Sequence, residues 1–192
     1  MAPGLTMPRT GTRPSVRVCS HIGVRAFPIV AAALVALVLS SGGPAALDRP
    51  CTGAQLSGTF SVVPGSAGAG NIVYALRLRN RSAQTCFVSG LARLQLIGKT
   101  GRLLPTHVTP AFRGGLTAVI VRLRPGARAN ATARFSPDVP GPGESRTAQC
   151  EPKAYKVRVT PPPGGGTLVT PVAPPTPVCE HGGLQLSALS PL

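Results

Sequence analysis

Carboxylates are the scarcest chemical resource in this sequence. Five occur in 192 residues, Asp48, Asp138, Glu144, Glu151 and Glu180, all in turns or near cysteines. General acid–base chemistry needs two such groups converging on one point, so this reaction class has poor raw material here. His107 sits in a stretch without clear period, and His181 stands two residues after Cys179. Cys179 with His181 has some metal-ligand character, but zinc sites pair their ligands closely, as in C-x-x-C, and no such pair occurs. No G-x-S-x-G, H-E-x-x-H or P-loop pattern is present, and the glycine runs "GSAGAG" and "PPPGGG" do not lead into helices as a phosphate cradle requires. No catalytic, cofactor-binding or metal-ligating residue is assigned on these grounds. The enzymatic alternative is a hydrolytic site assembled from the loops around His107 and Asp138.

Cysteine and arginine are the residues with more to offer. Arg9, Arg13, Arg17 and Arg25 precede the 11-residue apolar run "IVAAALVALVL" and the small residues of "SSGGPAALD". Basic, apolar, small is the order of a secretory signal, and the run is short of the ~20 residues that span a bilayer. Cleavage is expected after Ala45, leaving residues 46–50 as a short linker and 51–192 as the domain; an uncleaved signal anchor would be the one route to membrane attachment. Asp48, Arg49 and Pro50 before Cys51 do not make a lipid-attachment site. Cys19 leaves with the signal, so Cys51, Cys86, Cys150 and Cys179 remain, an even count that reads as two disulfides in an exported, oxidising compartment.

The elements that place these residues are short strands. In "QLSGTFSVV" Leu56, Phe60 and Val62 share one parity, and in "NIVYALRLRN" Ile72, Tyr74, Leu76 and Leu78 do. The turn "PGSAGAG" between them makes a hairpin. "LARLQLI" alternates likewise and turns at "GKTG" toward Arg102 and Leu104; residues 105–116 read as a loop or irregular edge. "AVIVRLRPGARANATARF" holds two alternating runs around Pro125 and Gly126, "AYKVRV" alternates again, and "TLV" and "LQLSAL" follow. Seven or more strands without a convincing helix predict an antiparallel immunoglobulin-like β-sandwich, with a barrel as the alternative. Cys51 precedes the first strand and Cys86 follows its partner, while Cys150 and Cys179 bracket the "AYKVRV" hairpin. The predicted bonds are therefore Cys51 to Cys86 and Cys150 to Cys179.

Charge is the one distributed polar signal. The chain carries 20 Lys and Arg; without the four arginines of the signal, 16 face 5 acids, a formal +11. Arg77, Arg79, Arg93, Arg122, Arg128, Arg134, Lys156 and Arg158 occupy outward strand positions, an arrangement that would attract phosphate or carboxylate polymers. The plainer account is that outward positions must be polar and this composition fills them with arginine. Aromatic residues do not interleave the cations, so nucleic acid is not expected as a partner.

The order "CTGAQL", "YALRLRNRSAQTCFVSG", "VRLRPGARANATARF", a third cysteine before "YKVRV", and "VCEHGGLQLSAL" resembles the actinobacterial exported domain of unknown function 4232 across residues 51–192. Asn80, Ser82, Thr85, Cys86, Gly90, Pro125 and Gly126 carry most of the resemblance. The family usually has Tyr-Pro after the glycine, where this chain has Leu91 and Ala92, so an aromatic is missing at that strand entry and local packing is expected to be weaker. The resemblance implies a sandwich fold in the cell envelope and no catalytic residue. The expected function is an exported, non-enzymatic module binding an anionic wall polymer or an envelope protein. Besides the enzymatic alternative stands an interaction or inhibitory role for the Pro-rich residues 160–177, taken as exposed and extended.

Overall fold

The computed structural model describes residues 49–112 and 119–192. The expected signal segment and its cleavage point, together with Asp48 and residues 113–118, lie outside the described residues. β1 (Arg49–Pro50) leads through a 3-10 turn into β2 (Leu56–Val62) and β3 (Ile72–Asn80). These two pair antiparallel from Leu56 opposite Asn80 to Val62 opposite Tyr74, the hairpin expected from the sequence. Leu56, Phe60, Tyr74, Leu76 and Leu78 are buried while Arg77 and Arg79 are exposed, because successive strand side chains point to opposite faces.

The chain continues through β4 (Cys86–Ser89), β5 (Arg93–Ile97), β6 (His107–Pro110), β7 (Ile120–Leu123), β8 (Arg128–Phe135), β9 (Ala154–Thr160), β10 (Leu168–Thr176), β11 (Gly183–Leu186) and β12 (Ser190–Pro191). A nine-stranded sheet runs β5-β9-β10-β2-β3-β8-β11-β6, with β12 also on β8; β1, β4 and β7 form a second sheet. Both contribute to one core, in which Val88, Val121 and Leu123 of the small sheet join Tyr74, Leu76, Val157 and Val159 of the large one. With no Trp in the chain, the rings of Phe60, Tyr74 and Phe135 supply the largest contacts, each neighbouring pair at 5.2 Å between centroids. Tyr74 donates its hydroxyl to the Pro174 carbonyl at 2.7 Å. Burial pushes its phenol above the ordinary value of 10, against the opposing pull of a hydrogen bond with Thr176.

Several expectations are corrected. The sheets are mixed rather than purely antiparallel, since β1 pairs β4, β10 pairs β2 and β11 pairs β6 in parallel. The ladders establish a nearly all-β fold; the immunoglobulin-like order is a finer reading than they carry. Of the two readings of residues 105–116, the edge holds for β6, an edge strand in which only Val108 packs against the core. The turn at Pro125 and Gly126 joins β7 of the small sheet to β8 of the large one, a corner where the chain changes sheets. The Pro-rich stretch is not exposed throughout, although Pro171, Pro174 and Pro175 are. Its larger part is β10, an interior strand with Leu168, Thr170 and Val172 buried. Prolines are tolerated there because the register with β9 breaks between Pro171 and Thr176, where no ladder donor is required. Leu91 packs against the core and Ala92 is buried in it, so that strand entry keeps apolar contact without an aromatic.

Asn80 holds the corner. Its side chain is fully buried; Nδ2 donates to the carbonyls of Gln84 at 2.7 Å and Leu123 at 2.8 Å, and Oδ1 accepts from the Ser82 N–H at 2.9 Å and hydroxyl at 2.7 Å. Its backbone pairs with the corner as well, N–H to the Ala127 carbonyl at 3.0 Å and carbonyl from the Gly126 N–H at 2.8 Å. Both expected disulfides are formed, Cys51 to Cys86 and Cys150 to Cys179. The "PPPGGG" loop closes over the first: a Cβ at Gly164 would run into the Cys51 carbonyl, which is why glycine is needed there.

Two outcomes follow for stability. Asn80→Ala strands the buried Leu123 carbonyl and empties the centre of the corner network, and should cost about 2–4 kcal/mol in urea unfolding, against about 1 kcal/mol or less for Ser82→Ala. Replacing Cys51 and Cys86 together with serine opens a loop of 35 residues' separation and should cost about 3–4 kcal/mol; non-reducing peptide mapping of the parent protein should link Cys51 only to Cys86.

Candidate functional site

Seven of the eight expected cations project from the outer face of the nine-stranded sheet, by the alternation of burial along its strands. Arg122 does not: it lies on β7 of the small sheet, opposite Phe87. Pairing then divides the seven. Arg79 lies directly opposite Arg128 and also opposite Ser57; Arg77, one step along the same face, lies opposite Thr59 and Asn130. Lys156 and Arg158 share β9 and face Pro171 and Val169 across the ladder. Arg93 is on the terminal strand β5 opposite Thr160, and Arg134 is opposite Val73 near the far end of β8. Arg77, Arg79 and Arg128, with Ser57 and Thr59, line an open cleft of about 390 Å³ on β2, β3 and β8.

Like charges directly opposite each other in a sheet oppose folding. At this cleft nothing offsets that: among the described residues no carboxylate reaches ion-pair distance of Arg77, Arg79 or Arg128. Among the described residues their one protein acceptor is the Gly126 carbonyl, at 3.4 Å from Arg79 Nε. Three guanidinium groups and two hydroxyls therefore face solvent with most of their donors unused, the donor set that bidentate binding of phosphate or carboxylate requires.

The acids are elsewhere. Glu144, with a side chain 2 % exposed, is gripped by the turn Cys179–Gly182. Its Oε2 accepts from the N–H groups of Gly141 at 2.6 Å and Glu180 at 2.9 Å, and its Oε1 accepts from the His181 N–H. Glu180 and His181 have φ of 57° and 56°, a left-handed pair that turns successive N–H groups toward one anion. Burial, the largest influence, would raise the Glu144 pKa; the three N–H donors and the nearby His181 ring outweigh it and hold the carboxyl below 4.5. His181 Nδ1 is 3.7 Å from Glu144 and 4.0 Å from Glu151, and its Nε2 is 2.9 Å from the Pro142 carbonyl. Although Glu144, Glu151 and His181 converge, the Glu144 oxygens are taken by backbone donors and the neighbouring Cys150 and Cys179 sulfurs by each other. The sequence carries no sign of this cluster, since the partners lie 36 and 37 residues apart.

His107 is exposed on β6 and lines a small cleft of about 190 Å³ with Ser136, Arg134 and Glu180. Ser136 uses its hydroxyl to hold its own turn, accepting from the Val139 N–H at 2.9 Å. His107 makes no hydrogen bond to Ser136 or to Glu180, and Asp138 is exposed in the following turn. A further cleft of about 400 Å³ is formed by Lys99, Arg102, Lys153, Tyr155 and their neighbours. The pairs Lys99 with Arg102 and Lys153 with Tyr155 are about fifty residues apart in sequence and meet because β5 pairs with β9, a contact that local patterning cannot announce.

A small β domain stapled by two disulfides, with a cationic outer sheet face, is a design suited to oxidising, extracytoplasmic surroundings. No helix among the described residues is long and apolar enough to cross a membrane. The chain belongs to the family described as Domain of unknown function (DUF4232), whose model matches residues 51–190. No curated protein and no solved structure gives a match.

The Glu144 grip has a pH signature. A folded pKa below the unfolded one contributes stability that is complete above the unfolded value and is lost as pH falls through the folded one. Wild type should therefore exceed Glu144→Gln in urea midpoint at pH 7, and the gap should close as pH drops from about 4.5 downward.

Proposed function

We propose that this protein is an exported, non-enzymatic binding module of the cell envelope, and that the cleft of Arg77, Arg79 and Arg128 contacts an anionic wall polymer. The observation that carries the reading is the opposition of Arg79 and Arg128 across β3 and β8, with Arg77 beside them and no carboxylate in reach among the described residues. A repeating phosphate or carboxylate polymer relieves that repulsion at each contact, and Lys156 and Arg158 extend the cationic surface on the same face of the sheet. Export is supported by the basic, apolar and small order of residues 1–45 and by the two disulfides. The non-enzymatic reading is supported by Ser136, His107 and Glu180 sharing a cleft without hydrogen bonds among them.

The test is retention of the oxidised protein on immobilised polyphosphate. Binding at 50 mM salt should be lost by several hundred millimolar, because exposed charge contacts are screened within about 10 Å at 0.1 M. The triple variant Arg77→Gln, Arg79→Gln, Arg128→Gln should elute at clearly lower salt than a charge-matched Arg49→Gln, Arg124→Gln, Arg146→Gln control, with no loss of melting temperature. Equal elution of the two triples would show that net charge, and not this cleft, makes the contact.

A further inference from the structure

We infer that the cleft between the β5 exit turn and the entry to β9 is a second, separate binding site, for an acidic saccharide unit: a pyranose ring bearing a carboxylate or phosphate. Its residues are disjoint from those of the outer arginine cleft, so either site can fail without the other.

The walls are held in place before any ligand arrives. On one side, the turn after β5 is closed by the Gly98 N–H to the Arg102 carbonyl at 2.8 Å and the Gly101 N–H to the Gly98 carbonyl at 3.1 Å. On the other, residues 152–155 follow directly on Cys150, which is bonded to the fully buried Cys179. The register that sets Ile97 opposite Lys156 brings the two segments side by side. Between them lie three cations, Lys99, Arg102 and Lys153, and an apolar wall of Leu104, Pro152 and Tyr155. Among the described residues none of the three cations has an ion-pair partner, and the hydroxyl of half-buried Tyr155 has no hydrogen-bond partner.

That combination selects the ligand class. Three cations lining one cleft favour an anion, but an inorganic ion would leave the apolar wall and most of a cleft of about 400 Å³ unused. A purely apolar ligand would bury cations without a partner. A sugar ring offers a C–H face for Tyr155, Pro152 and Leu104, hydroxyls for the free Tyr155 O–H, and one charged substituent for Lys99, Arg102 and Lys153.

Amide chemical shifts of the intact, oxidised protein, followed by NMR during titration, test this. Glucuronate and glucose 6-phosphate, the carboxylate and phosphate forms of the same chemistry, should each give saturable shifts at Lys99, Gly101, Arg102, Lys153 and Tyr155. Glucose, inorganic phosphate and benzoate should shift them at least tenfold more weakly at equal concentration. The Lys99→Gln, Arg102→Gln, Lys153→Gln variant and Tyr155→Ala should each weaken binding about tenfold or more, while Arg77→Gln, Arg79→Gln, Arg128→Gln leaves it unchanged. The inference is overturned if neither acid sugar gives saturable shifts there, or if phosphate or benzoate matches them.

Discussion

The side chain of Asn80 is where the two sheets are joined. A buried carboxamide has two donor hydrogens and one acceptor oxygen to place, and here each finds a partner: Leu123 at the end of β7, Gln84 before β4, and Ser82 in the turn between. The residue belongs to β3 of the large sheet and grips β7 of the small one. Its own backbone takes up the N–H and carbonyl of the corner from β7 to β8. A polar network of this kind is stabilising only while complete, so the relative placement of the sheets is fixed by geometry as well as by apolar packing. The same saturation removes the Asn80 amide from an Asn-x-Ser acceptor role in the folded protein. Arg79 and Arg128 stand next to this joint, so the outer cleft inherits its rigidity from Asn80.

The two disulfides act at different ends of the fold. Cys51 to Cys86 secures the short strand β1 beside β4, where a two-residue ladder would contribute little alone. Cys150 to Cys179 secures the approach to β9 and the left-handed turn at Glu180 and His181. A core without tryptophan, built largely of Leu, Val and Ala around three rings, leaves room for such covalent help.

Legibility followed the range of the interaction. Period-2 alternation revealed β2, β3, β5, β8 and β9, because each has one face on the core and one on solvent, and bracketing hairpins revealed both disulfides. The parallel pairings of β10 with β2 and of β11 with β6 stayed hidden, since nothing local distinguishes them from antiparallel neighbours. β10 was masked by its prolines, which suggest an extended ligand until a register break makes room for them. Of the expected cations, parity placed seven on one face, yet only the strand register separates Arg77, Arg79 and Arg128 from the rest. The two resemblance-bearing groups, Asn80 with Ser82 and Pro125 with Gly126, lie over forty residues apart and prove to be parts of one joint.

Charge is sorted along β8. The Ser136 carbonyl, just past its far end, receives the Cys179 N–H, so the turn holding Glu144 and Glu180 sits there, while Arg128 and Arg79 occupy its start. At ~3.3 Å per residue the strand separates them by about 23 Å. A net positive body with its four described acids gathered toward one end has a permanent dipole moment. In any external electric field such a body experiences a torque as well as a pull, so its rotation and its translation toward a charged surface are coupled.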